Sequence, residues 1–186
     1  MRINPDTDTL VHLTDLMPGE EFTIVSTAPE ATPDVLRAST TGSPPDDIFL
    51  GLPADLPGTI AGLAAEVTAG ETTDYDRLMA LQDWFLNNFG YSTDVQAGNG
   101  SAAIESFLQT RRGYCEQFAA AFAVMARTLG IPSRIAVGYT PGTLQSDGTY
   151  LVTGADSHAW PEIWFDGIGW IPFEPTPGIL RSGVIT

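Results

Sequence analysis

A nearly continuous apolar segment in the middle of the chain constrains the fold most strongly. Residues 118–129 are almost wholly apolar, and the unbroken run at 118–126 is nine residues long. The pattern predicts a helix that begins near Cys115 and is buried on all sides. Gly130 and Pro132 prevent its continuation. The run is far shorter than the roughly 20 residues that a membrane-spanning helix needs, so the sequence predicts a helix inside a soluble domain.

Helices precede this segment, and strands follow it. Apolar side chains at helical spacing predict one helix over residues 59–69 and two more that begin after capping residues, Thr73 and Ser101. Strand patterns then occupy four runs, at residues 134–139, 150–153, 158–165 and 169–173. The last two runs are joined at Asp166-Gly167, which is a hairpin signal. Helices followed by an antiparallel sheet predict an α+β fold.

The N-terminal part of the chain has a different pattern. Short β-prone runs lie at residues 9–13 and 21–25, and the Pro-, Thr- and Ser-rich residues 28–47 predict an extended connector. We therefore expect a β-rich extension over residues 1–52. It would add strands to, or wrap around, a core formed by residues 53–186.

The charge balance and the single cysteine limit the classes of ligand. The chain has 23 acidic and 8 basic residues, all of the basic ones arginine, and a net charge of −15. This field would repel a phosphate backbone, so we expect no nucleic-acid partner. One cysteine excludes an internal disulfide and a Cys-based zinc cluster. No phosphate-binding glycine loop or calcium-loop pattern is present, so no cofactor or metal is predicted.

Cys115 lies where a thiol is readily activated. The thiolate is the reactive form of cysteine, and a helix N-terminus or a nearby imidazolium lowers the pKa of the thiol. Cys115 begins the predicted central helix, which makes it a candidate nucleophile. The alternative is a small buried core residue, because free cysteines are commonly buried.

The two histidines differ in their surroundings. His158 begins a predicted strand on which Trp160 and Glu162 would share its face. A polar residue at the head of an aromatic strand face suits a cleft, although a surface histidine is the alternative. His12 lies in the irregular N-terminal part, and we expect it to be structural or exposed.

Three acidic residues could orient the His158 imidazole. Pairing across the predicted hairpin would return Glu174 to a position beside residue 158 or 159, where it could hold one ring nitrogen. Asp156 lies two residues before the histidine, on the same predicted strand, and would project in parallel with the ring. Glu162 lies roughly 13 Å along the strand, which is too far. We therefore expect Glu174 to orient the imidazole.

Four segments of the chain resemble the motifs of the transglutaminase-like superfamily. They are residues 113–119 around Cys115, 129–134, 158–162 from His158, and 169–176 around Glu174. The resemblance covers residues 53–178 well and is strongest to a bacterial subgroup in which the domain is an extracytoplasmic part of a multi-pass membrane protein. The superfamily commonly has Asp where this chain has Glu174.

The resemblance implies a papain-like α+β fold and a Cys-His-acid triad. Its central helix would be headed by Cys115 and packed on an antiparallel sheet that carries His158 and Glu174. The thiolate would attack a Gln carboxamide or a peptide bond of a protein or peptide, and His158 would protonate the leaving amine. The thioester would then pass to an amine acceptor or to water, so transferase and hydrolase activities both stay open.

Two functions compete with this prediction, namely a cysteine peptidase or amidase, and a non-enzymatic interaction module on the same scaffold.

The sequence does not decide which group donates a hydrogen bond to the oxyanion. The Cys115 backbone N–H is a natural donor, and the side-chain candidates are Trp84, Tyr114 and Gln117.

The subgroup resemblance, the lack of a signal or membrane segment and the abrupt chain ends lead us to expect an extracytoplasmic domain. Helices outside this chain would tether it to the cytoplasmic membrane.

Overall fold

The apolar segment forms the central helix, α5 (Cys115–Thr128). No residue from 118 to 129 is exposed, and Phe118 and Phe122 are fully buried. Gly130 follows the helix with a φ of 78°, the left-handed conformation that commonly ends helices. The helix and its end are therefore confirmed as predicted, although Ala120, Val124 and Arg127 are only half-buried, so burial is not complete on all sides.

The structure, a computed structural model, describes residues 2–4, 9–11, 17–25, 31–95, 98 and 100–179. The other helices within these ranges are α1 (Pro33–Ala38), α2 (Gly58–Val67), α3 (Asp74–Asn88) and α4 (Gly100–Thr110). Single 3₁₀ turns span Asp47–Leu50 and Gly154–Asp156. No helix in this part of the chain is long and apolar enough to cross a membrane.

The strands form one main sheet and three small pairs among the described residues. The main sheet has the order β5 (Ser133–Tyr139), β8 (Ser157–Phe165), β9 (Gly169–Pro172) and is antiparallel. The small pairs are β1 (Arg2–Asn4) with β2 (Thr9–Val11), β3 (Gly90–Tyr91) with β4 (Arg112–Gly113), and β6 (Thr143–Leu144) with β7 (Tyr150–Leu151). Helices followed by an antiparallel sheet confirm the predicted α+β class.

The core lies between α5 and one face of the main sheet. Alternate β8 residues, among them Ile163 and Phe165, are fully buried. Phe122 of α5 stacks on Phe173 with ring centroids 5.7 Å apart. His158, the second residue of β8, is also buried. The packing of the main sheet on α5 therefore brings the start of β8 next to the first turn of the helix.

The predicted extended connector over residues 28–47 contains helix α1, so that prediction is wrong where α1 lies. Pro at the start of a helix and a capping Thr32 favour a helix there. Leu36 is fully buried in the main core, and Arg37 Nε lies 2.9 Å from a carboxylate oxygen of Asp76 on α3. This segment therefore packs on the core.

Three other local predictions need correction. Residues 21–25 form no strand, because nothing in the described chain pairs with them. Ser101 lies inside α4 and does not cap it, and its hydroxyl donates to Asp55 at 2.8 Å. The strand predicted over residues 150–153 is only Tyr150–Leu151 long. His12 lies outside the described residues.

Gly113 allows the backbone to pass close to the side chains of Phe107 and Gln117 just before α5 begins. It is buried, and β3 pairs with β4 in parallel, so that Tyr91 lies opposite Gly113. A Cβ at this position would contact the side-chain oxygen of Gln117 and lie 2.8 Å from a ring atom of Phe107. The residue two positions before Cys115 therefore has no room for a side chain.

Gly113→Ala should destabilise the domain by about 1–3 kcal/mol, as expected for overpacking a filled site. Urea unfolding followed by circular dichroism measures this change. Gly62→Ala is the matched control, because Gly62 is exposed inside α2 and a Cβ there would meet open space. The control should gain about 0.5–1 kcal/mol. Equal stability changes in the two variants would show that Gly113 is not needed for close packing.

Candidate active site

Three separate elements bring the predicted residues together. Cys115 is the first residue of α5, His158 is the second residue of β8, and Glu174 follows the end of β9 by two residues. His158 lies close enough to Cys115 to lower the pKa of its thiol. His158 in turn contacts Glu174, and both of these residues are buried. The cysteine is partly exposed, so the line of three groups opens to the surface at its thiol end.

The imidazole is held by a short hydrogen bond. Nε2 of His158 lies 2.6 Å from Oε2 of Glu174. The other carboxylate oxygen accepts the Thr176 backbone N–H at 2.9 Å. The backbone N–H of Glu174 donates to the side-chain oxygen of Gln82 at 2.8 Å. Since Nε2 is engaged by the carboxylate, Nδ1 is the nitrogen left for Cys115.

The electrostatics favour a thiolate beside an imidazolium. The hydrogen bond from His158 lowers the pKa of Cys115, and the backbone N–H groups of Ala159 and Glu116 act in the same direction, against the opposing effect of burial. Hydrogen bonds to Cys115 and Glu174 raise the pKa of His158 to about 9. Below that pKa the ring is protonated, and above the lowered thiol pKa the sulfur is charged. The lowered thiol pKa and the raised imidazole pKa both favour the charged pair.

The two competing acids have other partners. Asp156 ends a 3₁₀ turn and is not on the strand of His158, which corrects the sequence prediction. Its Oδ2 accepts the Thr153 backbone N–H at 2.7 Å. Glu162 accepts a hydrogen bond from Arg134 Nε at 2.7 Å. Neither carboxylate is placed at the imidazole. More widely, the described residues contain no group of three or more His, Cys, Asp or Glu side chains that could hold a metal ion.

The strand register differs slightly from the predicted one. The hairpin pairs Trp164 with Trp170, and the backbone N–H of Phe173 donates to the Pro161 carbonyl at 2.9 Å. Extending this register sets residue 174 opposite residue 160, not beside 158 or 159. The offset to His158 is then two residues, or about 6.6 Å of strand. The length of a glutamate side chain helps to bridge this offset.

Sequence reasoning missed two residues near the site. Gln82 is fully buried on α3, and its signal was a polar residue inside the apolar stripe formed by Leu78, Leu81 and Phe85. Tyr91 gave no local signal, because only the pairing of β3 with β4 brings it near the nucleophile. Burial raises the pKa of Tyr91, and the charge of Cys115 raises it further.

The candidate oxyanion donors differ in their hydrogen bonds and packing. The backbone N–H of Cys115 is at the first position of α5, where helical N–H groups have no partner within the helix. Gln117 uses its side-chain oxygen to accept the Tyr114 backbone N–H at 3.3 Å. Trp84 packs edge-on against Phe89 at 4.8 Å between ring centroids. Its position in the helix therefore makes the Cys115 backbone N–H a candidate oxyanion donor.

Comparison with known proteins assigns the family. The sequence model of the transglutaminase-like superfamily matches residues 61–175, more than half of the chain. The chain belongs to the transglutaminase-like superfamily. Cys115, His158 and Glu174 all lie within the matched residues. The family is typically enzymatic, and one curated relative carries an enzyme's name.

Relatives and solved structures agree with the family assignment. The YebA protein of Bacillus subtilis is 34% identical over 149 residues, or 75% of this chain and 20% of YebA. Protein-glutamine gamma-glutamyltransferase of Pseudomonas aeruginosa is 38% identical over 98 residues, or 52% of this chain and 14% of that protein. The periplasmic domain of TgpA from Pseudomonas aeruginosa bound to ethylmercury has a TM-score of 0.60 and 34% identity, over 68% of this chain and 46% of that one.

The solved structures also confirm the fold. A protein from Cytophaga hutchinsonii aligns with a TM-score of 0.56 over 74% of this chain and 46% of its own, and at 24% identity it supports the fold alone. The chain spans a fifth or less of the two curated relatives, 20% and 14% of their lengths. It therefore corresponds to one part of those proteins.

Glu174→Gln should lower turnover strongly, because an amide cannot stabilise the imidazolium as a carboxylate does. In a serine-enzyme triad the corresponding change cost roughly 10⁴-fold, and a thiol–imidazolium pair that is partly self-sustaining should lose less. Asp156→Asn is the matched control and should change turnover weakly, since Asp156 is bonded to Thr153. Glu174→Asp should lie between wild type and Gln. The assay is steady-state turnover, and equal losses in the Asp156 and Glu174 variants would contradict the assignment.

Proposed function

We propose that this domain catalyses acyl transfer through a Cys115 thioester, with the carboxamide of a protein glutamine as the acyl donor. The observation that carries the proposal is the position of His158, which is hydrogen-bonded to Glu174 at 2.6 Å and lies close enough to Cys115 that each shifts the pKa of the other. That arrangement supplies a nucleophile, a proton donor and an orienting acid in one line. The alternative activities, those of a peptidase or amidase, use the same kind of thioester, which water attacks in place of an amine.

The first half-reaction would transfer the acyl group to sulfur. The Cys115 thiolate attacks the carboxamide carbon, a C–S bond forms, and the carbonyl oxygen gains negative charge. The backbone N–H of Cys115 can donate to that oxygen. When the C–N bond breaks, His158 gives its proton to the leaving nitrogen and ammonia departs. The enzyme is left as a thioester beside a neutral imidazole.

The second half-reaction would return the enzyme to its starting state. A primary amine attacks the thioester carbon while the neutral ring of His158 takes a proton from the amine. The C–S bond breaks, and the thiolate and imidazolium are restored together. Attack by water in place of the amine would yield glutamate, which is the hydrolase outcome. Glu174 keeps the ring oriented through both steps because it never leaves Nε2.

The choice of glutamine as donor rests on a relative. The Pseudomonas aeruginosa protein that is 38% identical over 98 residues carries the name protein-glutamine gamma-glutamyltransferase. Those residues make up 52% of this chain. The net charge of −15 adds that a neutral or basic segment of a protein would approach the domain more readily than an acidic one.

We also propose that the domain works outside the cytoplasmic membrane, as a part of a membrane-anchored protein. The support is the similarity to the TgpA domain, which is periplasmic. Within such a protein, residues 53–186 would form the catalytic core, and residues 1–52 would be an N-terminal extension that partly packs on it.

Cys115→Ser should fold normally and lose roughly 10⁴-fold or more of its turnover, as removal of a nucleophile does in related triads. The substrate is a glutamine peptide with monodansylcadaverine as acceptor, and both ammonia release and dansyl incorporation are measured. Incorporation by the wild type supports transfer. Ammonia release without dansyl incorporation would show that water attacks the thioester in place of the amine, so that the activity is hydrolysis.

The same assay tests the non-enzymatic alternative. Wild-type protein that releases no ammonia from any of a set of glutamine peptides contradicts the proposed function and favours an interaction module. A Cys115→Ser variant with wild-type turnover would show that the nucleophile is a different residue. Circular dichroism on both proteins confirms that a loss of activity is not a loss of fold.

A further inference from the structure

A groove of about 320 Å³ opens beside the first turn of α5. We infer that it binds an apolar side chain of the acyl-donor polypeptide, at a residue adjacent in sequence to the reacting glutamine. The inference rests on the proposed function and adds a sequence preference to it. The groove would make the domain select its substrate by the neighbour of the glutamine as well as by the glutamine itself.

The groove is continuous with the reaction centre. Glu116 and Ala159 both line it, and these residues directly follow Cys115 and His158 in the chain. Tyr114, the residue before the nucleophile, also lines it. A group seated in the groove therefore lies beside the thiolate. A polypeptide whose carboxamide is at the sulfur has its adjacent residues in reach of this groove.

The lining selects for apolar groups. Ile104 and Phe107 come from α4, Ala120 from α5, and Ile135 and Val137 from β5. Val137 is 81% exposed and Ile135 is 45% exposed, so these side chains are left in water at the mouth of the groove. Covering apolar surface removes it from water and is favourable. An aliphatic or aromatic side chain would gain from burial here, whereas glycine would gain nothing.

The size and charge of the groove narrow the occupant further. A volume of 320 Å³ is near the lower end of the range of about 300–1,000 Å³ for ligand pockets, so it fits one or two side chains. The carboxylate of Glu116 is exposed at its edge. This carboxylate disfavours acidic neighbours and favours a basic residue beyond the apolar one. The occupant is thus a neutral or basic polypeptide segment with a large apolar residue next to glutamine.

The test compares peptides that differ only beside the glutamine. Acetyl-Leu-Gln-Gly-amide, acetyl-Gly-Gln-Leu-amide and acetyl-Gly-Gln-Gly-amide are assayed for ammonia release with and without monodansylcadaverine. One leucine peptide should have a kcat/KM about 10- to 100-fold above that of the glycine peptide, as expected for filling an apolar pocket. The position of the effective leucine shows on which side of the glutamine the groove lies.

Variants connect the preference to the groove. Val137→Ser and Ile135→Ser should reduce the leucine preference several-fold, measured as the ratio of kcat/KM for the leucine peptide to that for the glycine peptide. Val35→Ser is the matched control, because Val35 is 46% exposed on α1 and does not line the groove. It should keep the full preference. Glu116→Gln should raise the kcat/KM of acetyl-Glu-Leu-Gln-Gly-amide relative to that of acetyl-Lys-Leu-Gln-Gly-amide.

The outcomes separate the two claims. Equal kcat/KM values for leucine and glycine peptides would contradict the inferred role of the groove and would leave the proposed function unaffected. A leucine preference that survives both Val137→Ser and Ile135→Ser would also contradict that role. If no peptide releases ammonia, the proposed function fails, and the inference fails with it. A preference that is lost in the groove variants and kept in Val35→Ser confirms the inference.

Discussion

The 2.6 Å hydrogen bond between Nε2 of His158 and Oε2 of Glu174 links β8 to the segment that follows β9 at the reaction centre. Both residues are buried, and removing one member of a buried charged pair commonly costs about 3–5 kcal/mol. The bond therefore has a structural effect as well as a chemical one. It fixes which ring nitrogen faces the cysteine, and the reactivity of Cys115 depends on that choice. Gln82, which accepts the Glu174 backbone N–H, extends the same constraint to α3.

The position of the thiol follows from the burial of α5. Because most of the body of this helix is buried, its first turn is the part most open to a substrate. Gly113 permits the close approach that brings the chain to this turn. The same first turn supplies both the Cys115 thiol and Glu116, which lines the groove. Nucleophile activation and substrate selection thus share one short segment.

Much of this arrangement was predictable from local pattern. The apolar run with Gly130 after it predicted α5, and strand patterns around a turn predicted the β8–β9 hairpin. The register was off by one to two residues, since a turn signal does not fix the count of loop residues, and Asp156 was placed on a strand that begins after it. Tyr91 was missed because its position depends on a parallel pairing between β3 and β4, which are far apart in sequence. Helix α1 was missed because Pro- and Thr-rich composition obscured a short capped helix.

The central claim is a thiolate–imidazolium pair between Cys115 and His158. Ultraviolet absorbance near 240 nm reports thiolate directly, and the chain has one cysteine, so the Cys115→Ser protein gives the background. Titration of the wild type should show a thiolate midpoint well below the ordinary thiol pKa of about 8.5. In His158→Ala the midpoint should rise toward that value. The same midpoint in both proteins would contradict the account.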